Sequence, residues 1–423
     1  MNKKLLILGA TSETCKMVQK AEDMGIDTFV VDPYKNSQAK VFASHSIDMD
    51  CFDIDGICEV IEKEKIDGIL PGCADILVEV YEKICRRMNL HCYVNSEIVK
   101  VFNNKKGLKK ALLKYGLDVI KEYSYEEVIN NSFDNYPVFV KPVDNNSSKG
   151  MSVANNLEEF KKAYEYALSF SKSNTVLIEE YKQCDDFFIG YFLQDGNVKV
   201  AFSGDRFVIN QENYGSITSA IVYPSKYIKL YFDTVHNKML NLLKDLDFKN
   251  GILAIQAFVD KDKILFYDPA LRITGGQEYV LCDYFYHVNE LEALINYAIY
   301  GKISEDVLYE KVDCSFNNHY ACNLTFSVRK CKINKINGLD YARKHKNVIN
   351  VTQEHKEGDI IDRIGTAQQN ISRMHLVANS KEELRDVVND LQNKINVIDE
   401  NGGNAIIQGF DANKWFKGNE EQA

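Results

Sequence analysis

Residues 138–153 read VFVKPVDNNSSKGMSV, in which an apolar run leads one lysine into a small polar loop and out into a second apolar run. The two apolar runs predict a pair of strands. Lys141 would lie at the end of the first strand, where its ammonium is held in place. Gly150 would allow the N–H groups of Ser147 and Ser148 to close over an anion. The stretch therefore predicts a phosphate-binding loop, with an ordinary hairpin that has a polar tip as the alternative.

Residues 251–277 read GILAIQAFVDKDKILFYDPALRITGGQ and supply a second candidate site. They predict two antiparallel strands joined by a charged turn at 260–263, so that Gln256 and Asp268 project onto one face. Oxygen ligands of this kind suit Mg²⁺, which usually takes one or two protein groups and completes its shell with water and phosphates. Arg272 follows, where a planar cation can hold a phosphoryl oxygen.

These two stretches, in this order, resemble the ATP-grasp superfamily, most closely its carboxylate–amine ligase and carbamoyl-phosphate-synthase-like branch. The resemblance covers nearly the whole chain. The NKK at 104–106 and the LLKYGL at 112–117 are similar to the family's opening lysine motif and to a helix that ends in glycine. The resemblance implies that Lys105 and Lys141 are the two lysines that bind the nucleotide phosphates.

The resemblance also implies which residues hold the nucleoside. Residues 176–181, VLIEEY, are similar to the hinge strand that holds adenine. Glu179 or Glu180, with the adjoining backbone through Tyr181, would read the base edge. Asp186 falls where the family places an acid for the ribose hydroxyls.

A metal ion is a further implication of the resemblance. Gln256 and Asp268 would hold Mg²⁺ or Mn²⁺ beside the ATP phosphates. Many members of the family have glutamate where Gln256 stands, and Ala270 replaces an asparagine that usually ligates metal. The number of metal ions, one or two, therefore stays open.

The activity implied by the resemblance is that of an ATP-dependent ligase. Such an enzyme would activate a small-molecule carboxylate as an acylphosphate and join it to an amine, with release of ADP and phosphate. Lys141 and Arg272 would act on the transferred phosphoryl group. Arg206 would face the acceptor carboxylate, with a paired arginine on a turn as the alternative. A carbamoyl-phosphate-synthase-like or carboxylase-like reaction and a non-catalytic nucleotide-binding module are the other readings, and the acid and amine stay unidentified.

The N-terminal region alternates strand-like and helix-like runs, which is typical of a doubly wound parallel sheet. Ligands of such sheets lie beyond the carboxyl ends of the strands, and in the resembled family this domain commonly helps to bind the acceptor substrate. The resemblance therefore makes Ser12, Glu13 and Asp75 candidates for substrate contact, with solvated helix-start residues and, for Asp75, a helix cap as the alternative. Gly9 and Asp32 are also what a nicotinamide-binding unit would offer, so a dehydrogenase is an alternative function. That alternative is weak because the turn GATSET lacks the second and third glycines of the dinucleotide fingerprint.

The expected fold class is α/β with three domains, which suits a chain of 423 residues. We expect an N-terminal doubly wound parallel-sheet domain at 1–95 and a two-sheet ATP-grasp domain at 96–305, with a lid at about 120–180. A C-terminal α/β domain would occupy 306–423. The resemblance implies that this last domain is a candidate for the contact surface of a homodimer.

Composition restricts the partners and the compartment. The net charge of −10 argues against nucleic acid, because phosphate backbones need a basic surface. The 11 cysteines include no Cys-x-x-Cys pair, which favours reduced thiols in a cytoplasmic protein. The first apolar run stops at Gly9, too soon for a signal peptide, and no segment approaches the roughly 20 apolar residues of a membrane span. We therefore expect small-molecule substrates and no membrane partner.

Overall fold

The computed structural model describes residues 2–130, 132–143, 150–171, 173–211, 215–303 and 309–420. Its described strands form one parallel sheet and three antiparallel sheets, which confirms the predicted α/β class. Ser147 and Ser148 lie outside the described residues. Within those residues, we find no helix with the length and apolar character that crossing a membrane requires.

The N-terminal region is a four-stranded parallel sheet in the order β3-β2-β1-β4. Residues 5–8 of β1 are fully buried, because helices cover both faces of such a sheet. Since β1 and β4 run parallel, Ser12 and Asp75 follow them at the same edge. The elements are β1 (Lys4–Leu8), α1 (Cys15–Asp23), β2 (Asp27–Asp32), β3 (His45–Asp48), α2 (Ile54–Glu64), β4 (Gly68–Pro71) and α3 (Ile76–Met88).

Two helices lead into a small lid sheet of order β6-β5-β7. The side chain of Asn104 accepts hydrogen bonds from the N–H groups of Lys106 and Gly107, so the second helix begins at Lys105. Apolar side chains around Phe160 and Val138 form a separate hydrophobic cluster under the lid. The elements are α4 (Ser96–Phe102), α5 (Lys105–Lys114), α6 (Tyr125–Val128), β5 (Val138–Pro142), β6 (Ser152–Ala154), α7 (Leu157–Phe170) and β7 (Val176–Glu180).

A large antiparallel sheet of eight strands, in the order β12-β11-β8-β9-β10-β13-β17-β15, forms the centre of the molecule. Its first five strands precede residue 305 and its last three follow it, so hydrogen bonding is continuous across the expected domain limit. The domain limits themselves stay a prediction. The elements up to that limit are β8 (Asp185–Gln194), β9 (Asn197–Gln211), β10 (Gly215–Tyr223), α8 (Ile228–Thr234), α9 (His236–Asp245), β11 (Gly251–Asp260), β12 (Lys263–Ala270), α10 (Tyr279–Tyr286) and α11 (Glu290–Tyr300).

The C-terminal region adds three strands to that sheet and a small sheet of order β16-β14-β18. Apolar side chains of α13 pack against β13 and β17, which attaches this region firmly to the central sheet. The elements are β13 (Tyr320–Ser327), β14 (Cys331–Asn337), α12 (Leu339–Lys344), β15 (Val348–Gln353), β16 (Ile360–Ile361), β17 (Asn370–Ala378), α13 (Lys381–Lys394), β18 (Asn396–Asp399) and α14 (Ala412–Glu420).

Candidate functional site

An open cleft of 1920 Å³ lies between the lid sheet and the eight-stranded sheet. Its volume exceeds that of most small-molecule pockets, which hold about 300–1,000 Å³. The cleft brings together most of the predicted site residues from distant parts of the chain. They are Lys105, Lys141, Glu179, Glu180, Tyr181, Asp186, Arg206, Gln256 and Asp268.

Two lysines meet on the lid side of the cleft. Lys105 is half-buried at the first turn of α5, and Lys141 is buried near the end of β5. Burial, and then the neighbouring charge of Lys141, lowers the pKa of Lys105. In the described part of the chain, no carboxylate forms an ion pair with Lys105. Two adjacent ammonium groups of this kind attract an anion such as a phosphate.

The Glu179 carboxylate is shared by two lysines. One oxygen lies 2.5 Å from Nζ of Lys141 and the other 2.5 Å from Nζ of Lys109. Burial would raise the pKa of Glu179, but these two lysines outweigh burial and lower it. Both carboxylate oxygens of Glu179 are therefore occupied within the protein.

Gly150 closes the predicted phosphate-binding loop. Its φ is +76°, and a Cβ there would lie 2.9 Å from Cβ of Phe170 and 3.2 Å from the ring of Pro142. Only glycine therefore suits this return into β6. The residue does not line the cleft itself, although Met151 and Ser152, which follow it, do.

The opposite wall carries the predicted metal ligands. Gln256 on β11 pairs in register with Asp268 on β12, as the sequence predicts. A β-bulge at this point inserts Tyr267, whose hydroxyl donates to Oε1 of Gln256 at 2.9 Å and also contacts Asp186 at 3.2 Å. The bulge therefore turns Tyr267 into the cleft beside Asp268. Strict strand alternation places these two neighbours on opposite faces, so sequence reasoning missed Tyr267.

The charge around Asp268 is suited to a metal ion. Burial and the Asp75 carboxylate raise the pKa of Asp268, and Lys105 and Arg206 oppose that shift without cancelling it. A carboxylate inside a cleft with too little positive charge around it is stabilised by a divalent cation. Among the residues that the structure describes, no three His, Cys, Asp or Glu side chains cluster as a metal site. One carboxylate and one amide fit Mg²⁺, which takes its other ligands from water and phosphates.

Asp186 and Arg206 form an ion pair inside the cleft. Nη1 of Arg206 lies 2.5 Å from Oδ2 of Asp186, because β8 and β9 bring the two residues into register. Burial raises the pKa of Asp186 to about 6, against the opposing effects of Arg206 and Tyr267. The alternative for Arg206 is a paired arginine on a turn. Arg206 is paired, but it lies within β9 and not on a turn.

Arg272 lies beyond β12 and reaches the N-terminal sheet instead of lining the cleft. Its Nη2 donates to Oδ2 of Asp75 at 2.6 Å, and its Nη1 donates to the carbonyl of Ile273 at 3.0 Å. The remaining Nε is buried and has no hydrogen-bond partner among the described atoms. Asp75 itself lines the cleft, so this ion pair holds Arg272 beside one end of it.

A second group of charges lies behind Arg272, and sequence reasoning missed its C-terminal members. Oγ of Ser12 donates to Oε2 of Glu13 at 3.1 Å, and burial raises the pKa of the nearby Glu354. Arg373 is 7% exposed, and its buried Nη1 lies 3.6 Å from Oε1 of Glu354 without a hydrogen bond to any described atom. Tyr279 is close to Arg373, and its buried hydroxyl also lacks a described partner.

Lys109 is the other residue that sequence reasoning missed. It lies four positions after Lys105 on α5, so both side chains point to the same side of the helix. That spacing is visible in the sequence and indicates a second lysine near the cleft. For Glu354 and Arg373, the sequence carries no such signal, because only the tertiary fold brings them to Glu13.

Comparison with known proteins finds one family model and a set of curated relatives. A family model described as D-ala D-ala ligase C-terminus matches residues 116–248. The formate-dependent phosphoribosylglycinamide formyltransferase of Methanocaldococcus jannaschii is 28% identical over 194 residues, which are 43% of this chain and 48% of that protein. The protein of the same name from Prochlorococcus marinus is 22% identical over 279 residues, 64% of this chain and 70% of that protein. The chain spans about half the length of most curated relatives that it matches.

Solved structures are similar over nearly the whole chain. L-amino acid ligase from Bacillus licheniformis has a TM-score of 0.76 at 16% identity, with coverage of 94% of this chain and 99% of that chain. Phosphoribosylglycinamide synthetase from Anaerococcus prevotii has a TM-score of 0.72 at 17% identity, covering 95% and 100%. Such low identities show a shared fold. Together with the family model and the curated relatives, they confirm the resemblance of the sequence to the ATP-grasp superfamily.

Proposed function

We propose that the protein is an ATP-dependent ligase that activates a small-molecule carboxylate as an acylphosphate and joins it to an amine, with release of ADP and phosphate. One observation carries the proposal. The cleft has two adjacent lysines, Lys105 and Lys141, on one wall and the pair Gln256 and Asp268 on the other. Phosphoryl transfer depends on such positioning of cations around a triphosphate.

Residues on the two sides of the cleft would bind different parts of the nucleotide. Lys105 and Lys141 would neutralise phosphate oxygens, Asp186 would accept the ribose hydroxyls, and the backbone near Tyr181 would hold adenine. Gln256 and Asp268 are the residues that would hold Mg²⁺ or Mn²⁺, which supplies positive charge to the phosphates when bound. The lid sheet would exclude water from the reacting phosphoryl group.

The chemistry has two steps. A carboxylate oxygen of the acid attacks the γ-phosphorus, the bond to the bridging oxygen breaks, and ADP leaves. The amine nitrogen then attacks the acyl carbon, phosphate leaves, and the nitrogen gives up a proton. Arg272 would stabilise charge near the transferred group, and Arg206 would lie near the acid.

Small acids are favoured as the first substrate. The names of the curated relatives include formate, and a similar solved structure, the biotin carboxylase domain of Hydrogenobacter thermophilus 2-oxoglutarate carboxylase, is described with bicarbonate. A carboxylase-like reaction is therefore the second candidate among the enzymatic functions. That neighbour is also described as a dimer, which supports a homodimer here. The 11 cysteines are all free, which supports a cytoplasmic location.

Two other candidates are less well supported. A non-catalytic nucleotide-binding module is favoured only by Ala270, which offers no oxygen ligand on β12. A dehydrogenase requires Asp32 to accept the ribose hydroxyls of the cofactor. Oδ2 of Asp32 accepts the N–H of Ala10 at 3.0 Å, and Oδ1 accepts the hydroxyl of Ser37 at 2.6 Å. Both oxygens are thus already bonded within the protein.

Thermal stability tests the proposal without knowledge of the substrates. We expect Mg-ATP and Mg-ADP to raise the melting temperature of the wild type, and Lys141→Ala to lose that shift. ADP release should then be screened with a panel of small acids and amines. A shift with NAD alone would contradict the proposal, and ATP binding without ADP release on any acid and amine would favour the non-catalytic module.

A further inference from the structure

Lys109 lies just outside the cleft and contacts three acceptors. Its Nζ lies 2.5 Å from Oε1 of Glu179, 2.5 Å from Oε1 of Glu122 and 3.2 Å from the carbonyl of Ile120. Its side chain is 13% exposed. An ammonium has three protons, and these three acceptors use all of them. Lys109 is therefore held rigidly and has no proton left for a ligand.

Lys141 differs from Lys109 in the number of its contacts. Its Nζ lies 2.5 Å from Oε2 of Glu179, and that carboxylate is its ion-pair partner in the described part of the chain. Lys141 also lines the cleft, whereas Lys109 does not. The ammonium of Lys141 thus has protons available for a phosphate while one bond to Glu179 holds it in position.

The balance of charge explains why Lys109 matters. The side chains of Glu179 and Lys141 are only 3% and 11% exposed, so water screens their attraction little. Without Lys109, the whole charge of Glu179 would act on Lys141 and would cancel its attraction for a phosphate. With Lys109 present, each oxygen of Glu179 serves a different lysine.

We infer that Lys109 is a positioning residue of the nucleotide site, which shares Glu179 with Lys141 and thereby keeps the Lys141 ammonium available to the nucleotide phosphates. This inference rests on the proposed function, because it requires a phosphate in the cleft. Lys109 does not touch the nucleotide. Its effect passes through the Glu179 carboxylate.

The test is the affinity of the full chain for Mg-ADP, measured by titration calorimetry. We expect Lys109→Met to weaken binding about tenfold, within the range found for directly coupled charges. Lys109→Arg keeps the charge and should restore most of the affinity. Lys110→Met is the matched control, because Lys110 is exposed on the same helix. With ATP as the varied substrate, KM should rise more than kcat falls.

A double-mutant cycle distinguishes this role from a general loss of structure. In the Glu179→Gln background, the carboxylate that links the two lysines is gone, so adding Lys109→Met should change the affinity by less than about twofold. If Lys109→Met alone fails to fold, the double variant is compared with Glu179→Gln alone, since the double variant leaves no uncompensated charge at Glu179; a loss of about tenfold on adding Lys109→Met there would overturn the inference. An equal loss in both backgrounds would overturn the inference.

The same measurements separate the inference from the proposed function. Wild-type affinity in Lys109→Met, together with lost binding in Lys141→Met, would overturn the inference alone. If the wild type binds neither Mg-ADP nor Mg-ATP, the proposed function fails and the inference fails with it.

Discussion

Arg272 and Asp75 form an ion pair at 2.6 Å, although 197 positions separate them in the chain. Arg272 follows β12 of the central sheet, and Asp75 follows β4 of the N-terminal sheet. Their side chains are 16% and 47% exposed, so the guanidinium is the more enclosed partner. The pair therefore fixes the position of Arg272 relative to the end of the cleft.

Asp75→Asn should lower turnover without abolishing nucleotide binding. The amide keeps the shape of Asp75 but removes the charge that orients Arg272, and we expect kcat to fall by about tenfold or more. The affinity for Mg-ADP should change by less than about twofold, because the phosphate lysines are untouched. Glu79→Gln is the control, since Glu79 is exposed on the helix that follows Asp75. Unchanged kcat in Asp75→Asn would show that Arg272 needs no partner.

Removing a charged side chain from either wall of the cleft should reduce turnover further than Asp75→Asn does. We expect Lys141→Ala and Asp268→Ala each to reduce turnover by well over ~100-fold, the scale for loss of a preorganised charge. Steady-state ADP release measures this. Asp262→Ala is the control, because Asp262 is exposed in the turn between β11 and β12. Full activity in Asp268→Ala would contradict the assignment of Asp268 to the metal.

Nucleotide affinity should depend on pH through Asp186. Burial raises the pKa of this carboxyl to about 6, so below that pH it is protonated and, without its negative charge, accepts ribose hydroxyls less strongly. We expect Mg-ADP affinity to fall as the pH drops below about 6. Asp186→Asn should bind weakly and lose this pH dependence, whereas Asp195→Asn, in an exposed turn, should resemble the wild type. Calorimetry from about pH 5 to about pH 8 measures both.

The charge of Asp186 should favour nucleotide binding but lower the stability of the nucleotide-free protein. Its folded pKa of about 6 lies above the ordinary 3.8, so the fold prefers the neutral acid. The unfavourable contribution of Asp186 is complete above about pH 6 and disappears below the unfolded pKa. Asp186→Asn should therefore raise the melting temperature of the nucleotide-free protein near pH 8, and the gain should shrink toward pH 4. A uniform gain at all pH values would contradict this assignment of the pKa.

Local patterns in the sequence were enough to predict much of the fold. The alternation of strand-like and helix-like runs predicts the parallel sheet of the N-terminal region, and the run at 138–153 places Lys141 on its strand. The pairing of Gln256 with Asp268 followed from two strands joined by a short turn. These features depend on neighbours in the chain, which is why the sequence alone predicts them.

What the sequence did not predict depends on contacts between distant segments. Tyr267 enters the cleft because of a bulge, which the alternation of β12 hides. Arg373 meets Glu354 because β17 and β15 pair at the edge of the large sheet. That sheet continues past residue 305, a feature of tertiary packing rather than of any local pattern.

The loop after Arg272 is held by the C-terminal strands. The carbonyl of Gly276 accepts a hydrogen bond from Nδ2 of Asn323 on β13 at 2.7 Å and lies 3.0 Å from Nε2 of His375 on β17. Burial, and then the charge of Arg373, lowers the pKa of His375 to about 3. His375 is therefore neutral at ordinary pH and donates from Nε2 to the carbonyl.

Asn323→Ala should loosen this loop and so reduce turnover. One of two donors to the Gly276 carbonyl is lost, and we expect kcat to fall about tenfold while Mg-ADP affinity stays within about twofold, because the loop carries Arg272 and not the phosphate lysines. Asn337→Ala is the matched control, since Asn337 bonds to Asn396 in the small C-terminal sheet at 2.7 Å. Because His375 is already neutral, the pH profile of Asn323→Ala should show no new ionisation near pH 6.5. An equal loss of ADP affinity and kcat would instead show that the C-terminal strands support the whole cleft.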